Sequence, residues 1–154
     1  MAKYAITGTQ SAVSTVAYKS VLSVVASSAT QARRGKIFDV LIGTNGTPAD
    51  NYLQWDISRI TAAGTNTAVT PNPLDPADAA ALGVAGNNHT VEPTVTANSS
   101  LFNVGVNQRA SYRWVAAPGS ELVFPAVNNN GLALRTTSGG YTGSATGDFM
   151  YEEQ

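Results

Sequence analysis

Apolar residues in this chain recur at every second position, in short runs that Gly, Pro, Asn and Ser keep interrupting. The clearest run places Leu53, Trp55 and Ile57 on one side and Gln54, Asp56 and Ser58 on the other. A period of two belongs to a half-buried strand, because successive side chains point to opposite faces of a sheet. Just before it, Lys36 to Gly43 sets Phe38, Val40 and Ile42 against Ile37, Asp39 and Leu41. Both sides are largely apolar, which predicts a central strand covered on both faces, provided that Asp39 finds a partner. Helical periodicity is nearly absent.

The same reading predicts strands at Tyr4 to Gln10, Val13 to Lys19 and Val21 to Ala26. Later strands are expected at Thr90 to Ala97, Leu101 to Asn107, Ala110 to Ala116, Glu121 to Phe124, Gly131 to Thr136 and Ala145 to Glu152. Between them stand turn sequences such as Thr44-Asn45-Gly46-Thr47-Pro48, Ala117-Pro118-Gly119-Ser120, Asn128-Asn129-Asn130-Gly131 and Ser138-Gly139-Gly140. Many short strands punctuated in this way indicate an all-β sandwich or barrel. One short helix is expected in the long connection from Gly64 to Asn88. There Asp75 can cap the first free amides, Pro76 suits the first helical position, and Gly83 can end the turn.

At 154 residues the chain has the size of one domain and can bury a real core. It must do so without disulfides, because it contains no cysteine. That absence also removes thiolate catalysis and thiolate metal sites. Charged residues make up only 12% of the sequence, about half the usual share. The polar surface therefore comes from Ser, Thr, Asn and Gly, which is cheap to desolvate against a neighbour. The net charge is −1, and the basic residues are scattered apart from Arg33-Arg34-Gly35-Lys36. Nucleic-acid binding needs a concentrated basic footprint, so none is expected. The most apolar stretch, Val21 to Ala26, is far too short for a transmembrane helix, and no membrane partner is expected.

Catalytic signatures are equally sparse. His89 is the only histidine and reads as a residue of the polar loop Gly86 to Thr90, with no nucleophile elbow to accompany it. Asp75 and Asp78 resemble a metal pair, but capping accounts for them better. Asp56 falls on the face opposite Trp55 and reads as solvated or paired with Arg59. Arg109 can pair with a carboxylate of its own chain or of a neighbour, and Arg113 alternates with Tyr112 and Trp114. Trp114 is expected in the core with Tyr112 at its rim. Cofactor and metal fingerprints are missing, so the expectation is a non-enzymatic protein without either.

Three segments carry a resemblance. They are Phe38-Asp39-Val40 leading to Thr44-Asn45-Gly46-Thr47-Pro48-Ala49-Asp50-Asn51, then Pro71-Asn72-Pro73-Leu74-Asp75-Pro76-Ala77-Asp78, then Asn107-Gln108-Arg109-Ala110-Ser111-Tyr112-Arg113-Trp114-Val115. Together they resemble capsid decoration, or cement, proteins of tailed bacteriophages. The resemblance implies a jelly-roll β-sandwich, to which the reading above adds one short helix in a long connecting loop. It also implies a structural virion protein on the capsid exterior, made in the host bacterial cytoplasm. Its partners would be the major capsid protein and its own copies, as a homo-trimer or homo-dimer. The expected contact elements are the ends, residues 1–10 and 149–154, and the Gly64 to Asn88 insertion. The candidate contact residues are Tyr4, Asp75, Asp78, Arg109, Arg113, Phe149 and Tyr151. The alternative is a tail or fibre module that binds a host glycan or receptor through Tyr52, Tyr112 or Tyr141. An enzyme using His89 and a nearby carboxylate is the remaining rival.

Overall fold

The computed structural model describes residues 1–11, 13, 17–27, 31–138, 141 and 143–154. Among the described residues twelve strands form two antiparallel sheets and no helix occurs. The front sheet contains β1 (Lys3–Gln10), β3 (Gly35–Asn45), β6 (Asn72–Pro73), β9 (Tyr112–Val115), β10 (Leu122–Phe124) and β12 (Ser144–Glu153). Its order is β10-β3-β12-β1-β6, with β9 also on β3. The back sheet contains β2 (Lys19–Val25), β4 (Tyr52–Ala62), β5 (Thr65–Val69), β7 (Val84–Val91), β8 (Thr94–Asn107) and β11 (Gly131–Ser138). Its order is β5-β7-β2-β11-β4-β8.

The alternation read from the sequence holds in β4, whereas in β3 a bulge opposite Met150 and Tyr151 turns Ile37, not Phe38, inward with Val40 and Ile42. Leu53, Trp55 and Ile57 of β4 face inward beside Leu132 and Leu134 of β11. Across from them lie Tyr4 and Ile6 of β1, Ile37, Val40 and Ile42 of β3, and Phe149 and Tyr151 of β12. A glycine pair sets how closely the layers approach. Gly8 and Gly147 oppose each other in the β1–β12 ladder. A Cβ on Gly147 would lie 2.2 Å from Leu134 Cδ2, and one on Gly8 would lie 2.8 Å from Leu22 Cδ1. The missing side chains are therefore the space into which two back-sheet leucines press.

The helix expected from Asp75 to Gly83 is absent, and its hydrogen-bonding groups show why. Asp75 does cap, accepting from Ala77 N at 2.9 Å, and Asp78 N closes one turn onto Asp75 O at 3.0 Å. The next turn would need Gly83 N to donate to Ala79 O. Instead Ala79 O accepts from the Tyr4 hydroxyl at 2.9 Å, and Gly83 N donates to Glu153 at 2.8 Å. Leu82 N donates to the same carboxylate. Tertiary partners on β1 and β12 thus take both halves of the helical bond. The Gly64 to Asn88 insertion is also no structureless connection. It contributes β5 and most of β7 to one edge of the back sheet and β6 to one edge of the front sheet.

Most other predicted strands appear with shifted ends. Thr90 to Ala97 divides between β7 and β8 at Glu92 and Pro93, and Leu101 to Asn107 is the end of a longer β8. Of the strand expected at Val13 to Lys19, residues 14–16 lie outside the described residues, Val13, Ala17 and Tyr18 are not in a strand, and Lys19 opens β2. Most of the turn at Ser138 to Gly140 also lies outside the described residues.

Candidate functional site: the outer face of the front sheet

The residues expected to make contacts divide into two groups. Tyr4, Phe149 and Tyr151 are buried, and the ends that carry them are β1 and β12, adjacent interior strands of the front sheet. The core takes these three side chains, β12 is paired on both sides, and β1 is paired along β12 and, at Tyr4 and Ala5, with β6. Asp75 is exposed and Asp78 half-buried, in the turn that replaces the helix. Arg109 bridges to Asp50 at 3.0 Å with both groups largely exposed. Arg113 is the one that lies in a built environment.

β3 is central, as predicted, but only its inner face is covered. On its outer face Leu41 remains 41% exposed. Asp39 is buried there by its partner: Arg113 of β9 donates from Nε at 3.0 Å and from Nη2 at 2.5 Å. This two-pronged pair fixes the carboxylate while the guanidinium stays in contact with water. β12 adds Asp148 opposite Leu41 and Met150 opposite Asp39. The result is a trough of adjoining depressions. One of about 350 Å³ is lined by residues that include Leu41, Pro48, Gln108, Arg109, Ser111 and Asp148. The next, of about 420 Å³, is lined by Asp39, Leu41, Arg113, Asp148 and Met150. A third, of about 290 Å³, lies further along the same face between Lys3, Lys36, Phe38, Glu121 and Glu152. Lys3 sits over the Phe38 ring there, 5.5 Å from its centre.

Asp148 is shared by the first two depressions and has no hydrogen bond or ion pair among the described residues. Burial pushes its carboxyl above the usual carboxylate range. A half-buried carboxylate beside Leu41 and Met150 is suited to a cationic group that arrives with apolar neighbours. The sequence reading did not single out Asp148 or Met150, although alternation along Ala145 to Glu152, which sets them opposite Phe149 and Tyr151, carries the signal. That these two residues line a trough depends on β3 and β9, which are remote in sequence.

The other chemistry-bearing residues serve the fold. His89 is not a loop residue. It lies buried in β7, where Nδ1 donates to Ser20 O at 3.1 Å and Nε2 accepts from the Ser23 hydroxyl at 3.0 Å, in the tautomer those neighbours favour. Burial holds its pKa below the ordinary histidine value, against the pull of the Ser20 carbonyl and of Glu92. Asp56 is buried rather than solvated, and its partner is Arg135, not Arg59. Arg59 instead donates to Val123 O at 2.7 Å. Around Asp56, burial alone would raise the carboxyl pKa. Hydrogen bonds from Ser100 and Ser58 and the Arg135 guanidinium outweigh that and hold it below the usual range.

Among the described residues no cluster of three or more His, Asp or Glu could hold a metal, and no helix is long and apolar enough to cross a membrane. Of the aromatic residues weighed for sugar stacking, Tyr141 is buried with its hydroxyl on Asn45 O, while Tyr52 and Tyr112 are exposed. Trp114 packs against the core, and Tyr112 meets Phe102 at its rim. No protein-family model, curated protein or solved structure matches the chain.

Proposed function

We propose that this protein is a structural module that decorates a bacteriophage capsid, binding the major capsid protein through the front-sheet trough and associating with its own copies. The observation that carries the reading is the trough itself. It is broad, has apolar side chains in its floor, is bordered by charges of both signs, and contains an acid with no ion pair among the described residues. Such a surface suits a protein segment better than a reacting small molecule, for which convergent catalytic groups would be required.

The strand order supports the jelly-roll part of the proposal. The first strand pairs with the last, β1 with β12, and the second with the next to last, β2 with β11. Nesting continues inward as β3 pairs with β9 and β10, and β4 with β8. These nested pairs make one long double ribbon. Folding that ribbon over brings β3 beside β12 and β4 beside β11, which closes the two sheets. Jelly rolls of this kind occur in viral capsid and lectin domains. A decoration protein gains from such a framework because weak contacts repeated over a lattice multiply, and whatever binds only the assembled shell stabilises it.

The decisive experiment is to locate and count the protein in purified particles. Many copies spread over the head support decoration. A few copies at one vertex favour the tail reading, and absence from particles removes both. The glycan alternative keeps Tyr52 and Tyr112 but loses Tyr141 to the core, and a glycan array on the purified chain tests it.

A further inference from the structure

The edges of the two sheets are not equally protected. Natural proteins blunt a free sheet edge by making it short, bulged, charged or covered, because an unpaired row of N–H and C=O groups templates association. In the front sheet, β6 has two residues, β10 has three, and β9 has four and carries Arg113. At one edge of the back sheet, β5 has five residues and a register shift against β7. At the other edge β8 runs for 14 residues. Between Glu92 and Arg109 the sequence has no charged residue, and its one proline, Pro93, precedes the strand. The first half of β8 is protected by its irregularity, since its pairing with β4 shifts between Ser100 and Val95 and Asn98 takes a positive φ of 56°. From Phe102 to Asn107 the pairing is regular, Leu101 being the extra residue of a bulge between Ser100 and Phe102, and among the described residues β4 is the only strand neighbour.

We propose that residues 101–105 of β8 pair with the same residues of a second copy, antiparallel about a two-fold axis at Asn103, joining two back sheets into one. The sequence fits itself in that register. Phe102 falls opposite Val104 of the other copy, and both are half-buried side chains packed against the core, so the pair would continue it. Leu101, on the solvent side and exposed, falls opposite Gly105, where no side chain competes for space. Asn103 meets itself, and no like charges are brought together. An isologous contact of this kind closes at two copies and leaves no free edge of the same type.

The absence of cysteine makes a direct test available. Residues directly opposite in an antiparallel pair have Cα atoms about 4.5–5.5 Å apart, within the span of a disulfide. Asn103→Cys is therefore expected to give a covalent dimer under mild oxidation, whereas Thr67→Cys, on the opposite edge, is expected to remain monomeric on a denaturing gel. By sedimentation the unmodified chain is expected to be a dimer that dissociates on dilution. Leu101→Lys with Gly105→Lys, which sets lysines against each other across the axis, is expected to weaken it by about a hundredfold. Both changes are on the solvent face, and a circular dichroism spectrum and melting curve on dilute protein check that the variant is folded. A monomer at every concentration overturns the proposal, as does a trimer. Equal cross-linking at positions 103 and 67, or a dimer indifferent to the paired lysines in a folded variant, also overturns it.

Discussion

The two outer faces of this sandwich each carry aspartates at outward strand positions, and the chain treats them differently. On the back sheet Asp56 is enclosed by Arg135, Ser58 and Ser100, with Arg135 itself capped by the Tyr18 ring 4.7 Å from the guanidinium carbon. On the front sheet Asp39 is enclosed by Arg113, but Asp148 next to it has no partner among the described residues. An acid whose every oxygen is satisfied within the chain has a structural use that explains it. An acid that is half-buried and unpaired carries a desolvation cost with no compensation among the described residues, which is why we propose the front sheet as the partner-binding surface.

The sharpest way to break this contrast is to remove the cation from the satisfied site. Arg135→Met leaves Asp56 buried and uncompensated. The expected loss is about 3–5 kcal/mol of stability, since breaking a buried pair strands the remaining charge. Chemical denaturation measures it, with the lost stability appearing as a lower midpoint at unchanged slope. Adding Asp56→Leu to Arg135→Met should restore much of the loss, because an apolar pair of similar volume needs no compensation. If Arg135→Met alone is neutral, the back face is not the satisfied structural surface described above.

How much of this was legible in sequence follows from how local each signal is. The inward set of β4, Leu53, Trp55 and Ile57, is written in adjacent residues and is correct. So is the need of Asp39 for a partner, though only the fold could name Arg113, 74 residues away. The helix at Asp75 failed because its capping signal was real but its interior bonds were outcompeted by Tyr4 and Glu153, which come from opposite ends of the chain. His89 misled for a related reason. Its neighbours Asn87 and Asn88 are loop-forming types, and Asn88 does adopt a positive φ of 45°. That turn of the backbone, however, occurs within β7, and His89 is bonded to Ser23 on the paired strand β2. The outward position of Asp148 was carried by alternation but not singled out. Its lack of a partner was not legible, because that depends on what four strands bring to one face.

A smaller effect separates the faces by pH. His89 on the back sheet has a folded pKa below that of the unfolded chain, so the unfolded state binds the extra proton. Stability is then full above the unfolded value, about 6.5, and falls as the pH drops below it towards the lowered folded value. Replacing His89 with Gln keeps a donor and an acceptor and removes the titration. The variant should lose some stability at neutral pH yet show a flatter profile between about pH 7 and pH 5, the range on either side of the ordinary histidine value, measured by thermal melts in buffers of matched ionic strength. A variant whose slope there equals that of the unmodified chain would mean that His89 is not the group responsible.

The smallest expected effect is the one that sharpens the comparison most. Asp148→Asn removes a carboxylate whose folded pKa is raised by burial. A raised acid binds its proton more readily in the folded state, so its charged form costs stability once the pH has risen past the unfolded value. A neutral amide in its place carries no such cost. The change should therefore leave stability at neutral pH within about 0.5 kcal/mol of the original, with any shift towards greater stability. Binding responds in the opposite direction under the proposed function, because the trough loses the charge that a cationic partner group would meet. Capsids assembled without the protein should take up the Asp148→Asn chain less well than the unmodified one, at equal folding and equal concentration. Loss of stability without loss of uptake would make Asp148 a second structural acid like Asp56 and move the contact surface away from the front sheet.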